Sequence, residues 1–497
     1  MKNNIVIFKK NKPKVISLLK EGKIDYVARS KWSFADKFYS FLLSIDFFDF
    51  AQKSYPSPRM RENIPLWILI ALMIGLKLNC KKSFSSLPGI LKSGPILTRA
   101  SFNLAGVEGG FNRKNKTPRQ EGEIVNHDTL RKYFKDTDTD ELTNWNNTDL
   151  VKFYSSKRLI LKEGIFVLDC THLIVCDNKN YQGAEYVPLD GAGNYVDTSM
   201  LSKEEKEKFN YSLSYKMANL LHISRNKDYF VFMGSKICGP RCHDKILGKE
   251  LIDDFVKNIG RQKIKLLIMD RAFLDGKMIA EFKDRYAIDV LVPLKKNMHA
   301  SLDAKGLARL KEARWHKVDA STECMMVKKI ASYGSCGVPL NIILIKSRLK
   351  GGRVRLWSLA TTKDYADPCR AVKDYRLRWQ IEERYKQIKQ AWLNKGFSSP
   401  YFNLVVAHII FSLLVYSLMQ IYLNVKSLRE LSNKNMEALM EDEVLGKDSV
   451  IMVASGYYAV LDVDEGLYYV AFMEGEALIR FRKWITQFRK NKYKTGS

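Results

Sequence analysis

Residues 375–389 read YRLRWQIEERYKQIK, and this stretch constrains the fold more tightly than any other in the chain. Tyr375, Arg378, Glu382 and Lys389 stand at offsets 0, 3, 7 and 14. At about 100° per residue of an α-helix they fall within an arc of roughly 60°, so a phenol, a guanidinium, a carboxylate and an ammonium share one stripe. A solvated helix could carry that stripe, with Glu382 and Lys386 as an ordinary i,i+4 pair. Trp379 and Ile381 in the same segment argue instead for a helix that packs on something. The spacing predicts one long charged helix over 374–395, followed by an apolar helix over 404–423.

Outward toward the N-terminus, two carboxylates interrupt apolar runs. Asp169 follows Ile165-Phe166-Val167-Leu168, and Asp270 follows Leu266-Leu267-Ile268-Met269. The first belongs to a β-rich run with the carboxylate in its middle, and the second reads as a short continuous strand buried on both faces. A charge ending such a strand costs free energy unless it is paired or binds a cation. Either Asp alone is also compatible with a simple turn; the stripe through Glu382 supplies the third carboxylate that favours a common site.

The segment 375–389 resembles the Y-x2-R-x3-E-x6-K signature of DDE transposases of bacterial insertion sequences and composite transposons, including the R-W-x-I-E-E core. Met269-Asp270-Arg271-Ala272-Phe273 resembles the stretch around that family's second Asp, and Phe166-Val167-Leu168-Asp169-Cys170-Thr171-His172 the strand with its first. The two Asp precede Glu382 in the family's order, with separations of 101 and 112 residues, and the resemblance covers about 165–423. It implies an α/β architecture with an RNase H-like mixed-sheet core and a β-strand insertion before the last catalytic helix. Asp169, Asp270 and Glu382 would be the catalytic, metal-binding triad for two Mg²⁺ or Mn²⁺ ions. Tyr375, Arg378 and Lys389 would grip DNA phosphates. Lys295 and Lys296 correspond loosely to a basic DNA-contacting segment, with a solvated turn as the alternative. Trp357 matches the place of an aromatic residue that stacks on a flipped base where the element is freed through a DNA hairpin; its other reading is a core tryptophan.

The chemistry supports the triad apart from the resemblance. In-line displacement at a phosphodiester needs charge neutralised on both the attacking and the leaving oxygen, and carboxylate oxygens select hard divalent ions. Seven scattered His do not favour a His-built zinc site. Cys238, Cys242 and His243 lack a fourth ligand, and His243 with Asp244 reads as a helix start. His172 could assist near the metals or be an ordinary strand residue.

The rest of the chain divides by texture. Residues 1–150 read as a helical N-terminal DNA-binding module, amphipathic over 32–51, helical again from Pro65, and helical from 126 with Asp128 as a cap; 111–120 is a basic loop. The RNase H-like core begins at 151 and runs to 296, with a hairpin at Arg225-Asn226-Lys227-Asp228. Residues 297–370 hold three strand-like runs, an antiparallel unit inserted into the α/β alternation. The last core helices occupy 371–425. A small C-terminal region, 426–497, combines an acidic block over 436–476, with a hairpin expected at Asp464-Glu465-Gly466, and a basic tail from 480.

Composition agrees with a nucleic-acid partner. The 497 residues include 82 Lys or Arg against 54 Asp or Glu, a net charge of +28, which calls for a polyanion. With 46% hydrophobic residues the chain can build a core and is not a disordered basic tail. Eight scattered Cys and no signal-peptide core suggest a reducing, cytoplasmic, nucleoid-associated setting. The 404–423 run reaches membrane-spanning length, but His408, Ser412, Ser417 and Gln420 favour a buried core helix over a membrane one. The leading reading is therefore a transposase that binds terminal inverted repeats as a synaptic homodimer, then cleaves and transfers them. The alternatives are a metal-dependent nuclease without strand transfer and a catalytically silent, transposase-derived DNA-binding protein.

Overall fold

The computed structural model describes residues 9–86, 125–189, 202–348, 353–441 and 449–479, short interruptions aside. The basic loop 111–120 and the tail 480–497 lie outside the described residues. The chain divides into two compact units, Asp138–Asn433 and a second that joins Met1–Thr137 to Lys434–Ser497.

The N-terminal segment begins with β1 (Lys9–Lys10), a helix Lys12–Lys20 capped by the Asn11 side chain, and β2 (Tyr26–Ser30). The amphipathic run expected over 32–51 is two helices, Ser33–Ser44 and Phe47–Ser54. Asp46 turns the chain between them in the left-handed region, at φ 59°. Pro65 directly precedes the helix Leu66–Leu78, which is buried on nearly every side. The next helix is His127–Asp136, and Asp128 lies inside its first turn rather than capping it, paired with Arg131 at 3.1 Å.

In the unit Asp138–Asn433 the strands are β3 (Ile165–Ile174), β4 (Glu185–Leu189), β5 (Asn210–Ile223), β6 (Phe230–Cys238), β7 (Leu266–Met269) and β8 (Asp289–Pro293), then β9 (His316–Lys317), β10 (Thr322–Ile330), β11 (Leu340–Arg348) and β12 (Val354–Thr361). They form one ten-stranded mixed sheet in the order β4-β5-β3-β7-β8-β12-β11-β10-β9, with β6 beside β5. The β3/β7 and β7/β8 pairs are parallel and the rest antiparallel. The expected hairpin joins β5 to β6. Every residue of β7 is buried, as a central parallel strand requires. This is the mixed α/β architecture of an RNase H-like core.

The three expected strands after 297, joined by the short β9, are antiparallel but do not stand apart from the core. Thr361, Ala360 and Leu359 of β12 pair with Leu291, Val292 and Pro293 of β8, so the insertion extends the core sheet. A helix the sequence reading passed over, His299–Leu307, is tied to β12 by a 2.8 Å Ser301–Ser358 hydroxyl contact.

Two helices position the site. Asp244–Ile259 opens with His243, whose Nδ1 accepts from the Lys245 N–H. Gly248 in this helix lies so close to the strands that an added Cβ would meet the Phe273 ring at 2.6 Å and Leu168 Cδ2 at 2.9 Å. Phe402–Val425 has all of residues 404–423 buried in the protein, its most apolar window included. Its polar side chains serve that interior: Ser417 Oγ accepts from the Phe232 N–H at 3.0 Å, and Gln420 Nε2 donates to the Ser432 carbonyl at 2.8 Å.

The C-terminal segment supplies β13 (Ser449–Ala454) and β14 (Tyr457–Asp462), which turn at Ser455-Gly456. The expected turn at Asp464-Glu465-Gly466 is instead part of a helix, Val463–Val470. β13 and β14 enter a four-stranded sheet, β1-β14-β13-β2, with the N-terminal strands at both edges. Val15, Leu18, Leu19 and Ile24 share one core with Val450, Met452 and Leu461. The segments that composition divides at 150 and 425 thus meet in one folded unit, because an isolated hairpin is marginal without further strands and an apolar face.

Candidate active site

The parallel pairing of β3 with β7 sets the first two carboxylates side by side. Leu168 lies opposite Met269, so the next residues, Asp169 and Asp270, follow at the same level of neighbouring strands. Asp169 is still within β3, opposite Asn219 of β5. Asp270 has left β7 and opens the 3₁₀ turn Arg271–Phe273, its carboxylate making no capping bond.

The helix expected over 374–395 forms in four pieces: a helix Pro368–Tyr375, a 3₁₀ turn Arg376–Arg378, a helix Trp379–Ile388 and a wider π turn Lys389–Leu393. Its functional stripe nevertheless faces the strands. The Arg378 guanidinium pairs with Glu382 at 2.6 Å and with Asp169 at 3.6 Å. Lys389 Nζ donates to Thr171 Oγ1 at 2.8 Å, two residues beyond Asp169 and on the same face of β3. Glu382 therefore does not pair with Lys386, which takes Glu383 at 2.9 Å. Ile381 is fully buried, as its apolar bulk implied. Trp379 is not: it is 51% exposed, with the Lys386 ammonium over its ring at 5.2 Å.

Electrostatics at this cluster follow from burial. Asp169 is pushed up to about 7, chiefly because its carboxylate is out of water; Arg378 pulls it back, and Asp270 and Glu382 push further. Lys389 is lowered to about 8 by its own burial, with Asp169 opposing. Burial raises Tyr375 to about 12. Among the described residues no three His, Cys, Asp or Glu side chains are spaced to hold a metal ion as they stand. At the triad it is Arg378 that answers the negative charge of Asp169 and Glu382.

The remaining candidates separate. Trp357 lies half-buried on β12, at the junction between its exposed first half and buried second half. Its ring meets Tyr375 with centroids 5.8 Å apart, which joins it to the stripe. Lys295 and Lys296 are exposed just past β8, and the carbonyl of Lys296 accepts from Lys305 Nζ at 3.1 Å. His172, an odd step from Asp169, faces away with Ser214 at 3.4 Å and is lowered to about 4 by burial.

Two residues of the site escaped the sequence reading. Tyr385 is buried and donates its hydroxyl to the Asp169 carbonyl at 2.9 Å. Asn219 is fully buried and donates to Tyr385 at 3.3 Å. Tyr385 falls only about 20° outside the arc of the stripe, so helical spacing could have found it. Nothing in the sequence singles out Asn219.

The family model of the transposase DDE domain matches residues 220–418. That span contains Asp270, Glu382, Tyr375, Arg378, Lys389, Trp357, Lys295 and Lys296 and begins after Asp169. No curated protein matches the chain.

Proposed function

We propose that the chain, whose residues 220–418 match the family model of the transposase DDE domain, binds the terminal inverted repeats of its element, cleaves them and joins their 3′ hydroxyls to target DNA. The observation that carries this reading is the convergence of Asp169, Asp270 and Glu382, from three distant segments, with Arg378 paired to two of them. Such a cluster is costly without a cation.

The residues fit a divalent ion. The donors are carboxylate oxygens, which hard ions prefer, and Asp169 holds its charge reluctantly at neutral pH. Asp169, Asp270 and Glu382 would hold two Mg²⁺ or Mn²⁺. When bound, such ions neutralise charge on the attacking and leaving oxygens of the displacement. Arg378, which faces the same carboxylates, has a planar fork that a DNA phosphate would match. Lys389 adds a point charge, and Tyr375 can donate to a phosphate oxygen. Two ends are held by two copies of the chain, and the cut-and-paste route runs through a hairpin, with Trp357 receiving a flipped base.

Glu382→Gln tests the reading. Mg²⁺-dependent nicking of an element end is expected to vanish while gel-shift affinity for that end changes less than about threefold, since phosphate contacts elsewhere remain. Normal cleavage by the variant would remove Glu382 from the triad. Joining of a pre-cleaved end to a target plasmid separates a transposase from a nuclease.

A further inference from the structure

We propose that Tyr385, oriented by Asn219, is the positioning residue of the carboxylate cluster: its hydroxyl fixes the distance between the strand that carries Asp169 and the helix that carries Glu382. The inference deepens the transposase reading and rests on it. Tyr385 lies three residues after Glu382 in the helix Trp379–Ile388 and is 4% exposed. It therefore reports the position of Glu382's own turn. Its O–H donates to the backbone carbonyl of Asp169 at 2.9 Å, which is the position of Asp169's own peptide.

The direction of these bonds is fixed by proton count. A phenol has one proton, and the Asp169 carbonyl can only accept, so the Tyr385 proton goes there. Asn219 must then present its NH₂ to the phenol oxygen, at 3.3 Å. That choice turns its amide oxygen elsewhere, and the buried Asn219 Oδ1 has no hydrogen-bond partner. Asn219 stands directly opposite Asp169 in the antiparallel pair of β3 and β5, and such opposite residues project from one face of the sheet. Packing alone does not call for this arrangement, because a phenylalanine would fill the space of Tyr385 without burying a hydroxyl.

Residues that orient metal ligands typically change metal affinity or activity by about 10- to 100-fold when lost. The test is Mn²⁺ binding to the full-length chain, followed by the electron paramagnetic resonance signal of free Mn²⁺. Glu382→Gln serves as the reference that loses a ligand outright. Tyr385→Phe is expected to raise the Mn²⁺ midpoint about tenfold while its metal-free melting temperature stays within a few degrees of the wild type. Asn219→Ala, a second route to the same loss of orientation, is expected to move the midpoint the same way, by about threefold. Unchanged midpoints in both folded variants would overturn the positioning role and leave the transposase reading standing. A wild type that takes up no Mn²⁺, like Glu382→Gln, would overturn both.

Discussion

Asp169 keeps its charge against its surroundings, and stability should register that. An unfolded Asp loses its proton near 3.9, whereas the folded carboxyl holds it to about 7 because of burial. Between those values the native state binds more protons than the unfolded chain, so stability falls as pH rises through the window. Asp169→Asn cannot ionise. Without divalent ions it is expected to melt above the wild type at pH 8, with the gap closing as pH falls from about 7 to about 4. Calorimetry at the two pH values checks this, and an equal gap at both would contradict it. The identity of this residue was legible in the sequence, because a carboxylate after four apolar strand residues is conspicuous. Its bonding was not: the Arg378 contact, and the tie through Tyr385, depend on a helix and a strand separated by some two hundred residues. Local spacing could not name the partner of Glu382 either, since i,i+4 spacing allows both Arg378 and Lys386 and only the fold decides between them.

Among elements, β12 has the most to do. Its second half lies between β11 and β8, while its first half pairs with β11 alone, carries exposed side chains and places Trp357 against Tyr375. Unstacking a base costs a few kcal/mol, and stacking on an aromatic face returns about 1 to 3 kcal/mol. Trp357→Ala is accordingly expected to nick the first strand normally and to accumulate nicked ends that never seal into hairpins on a denaturing gel. A folded variant that forms hairpins at the wild-type rate would end this role for Trp357. Element boundaries were partly legible. Continuous apolar runs marked β7 and the buried helix Phe402–Val425, but nothing marked the 3₁₀ turn at Arg376–Arg378, which contains neither Pro nor Gly. The misplaced C-terminal turn has a plain cause. Asp464-Glu465-Gly466 has turn composition, yet the Ser455-Gly456 dipeptide, also a turn signal, is the one flanked by strands that pair.

At the scale of the whole molecule the charge of +28 would dominate the proposed encounters with DNA. Each neutralised phosphate contributes a slope of about −0.9 to log K against log salt, so end binding is expected to show a slope of several units, smaller by about one in Lys389→Ala. A salt-independent affinity would refute the phosphate grip. What composition could not reveal is how the two ends of the chain are used, because periodicity reports local faces and not partners hundreds of residues away. The sheet β1-β14-β13-β2 has a consequence for synthesis. On the ribosome β1 and β2 emerge well before β13 and β14 and lack these partners until every strand and helix of Asp138–Asn433 has been made. Domains generally fold in the order they are translated, but here a segment that precedes Asp138–Asn433 must wait for one that follows it. The sheet closes only once β13 and β14 are available, and a chain terminated before them is left with two unpaired strands in place of that sheet.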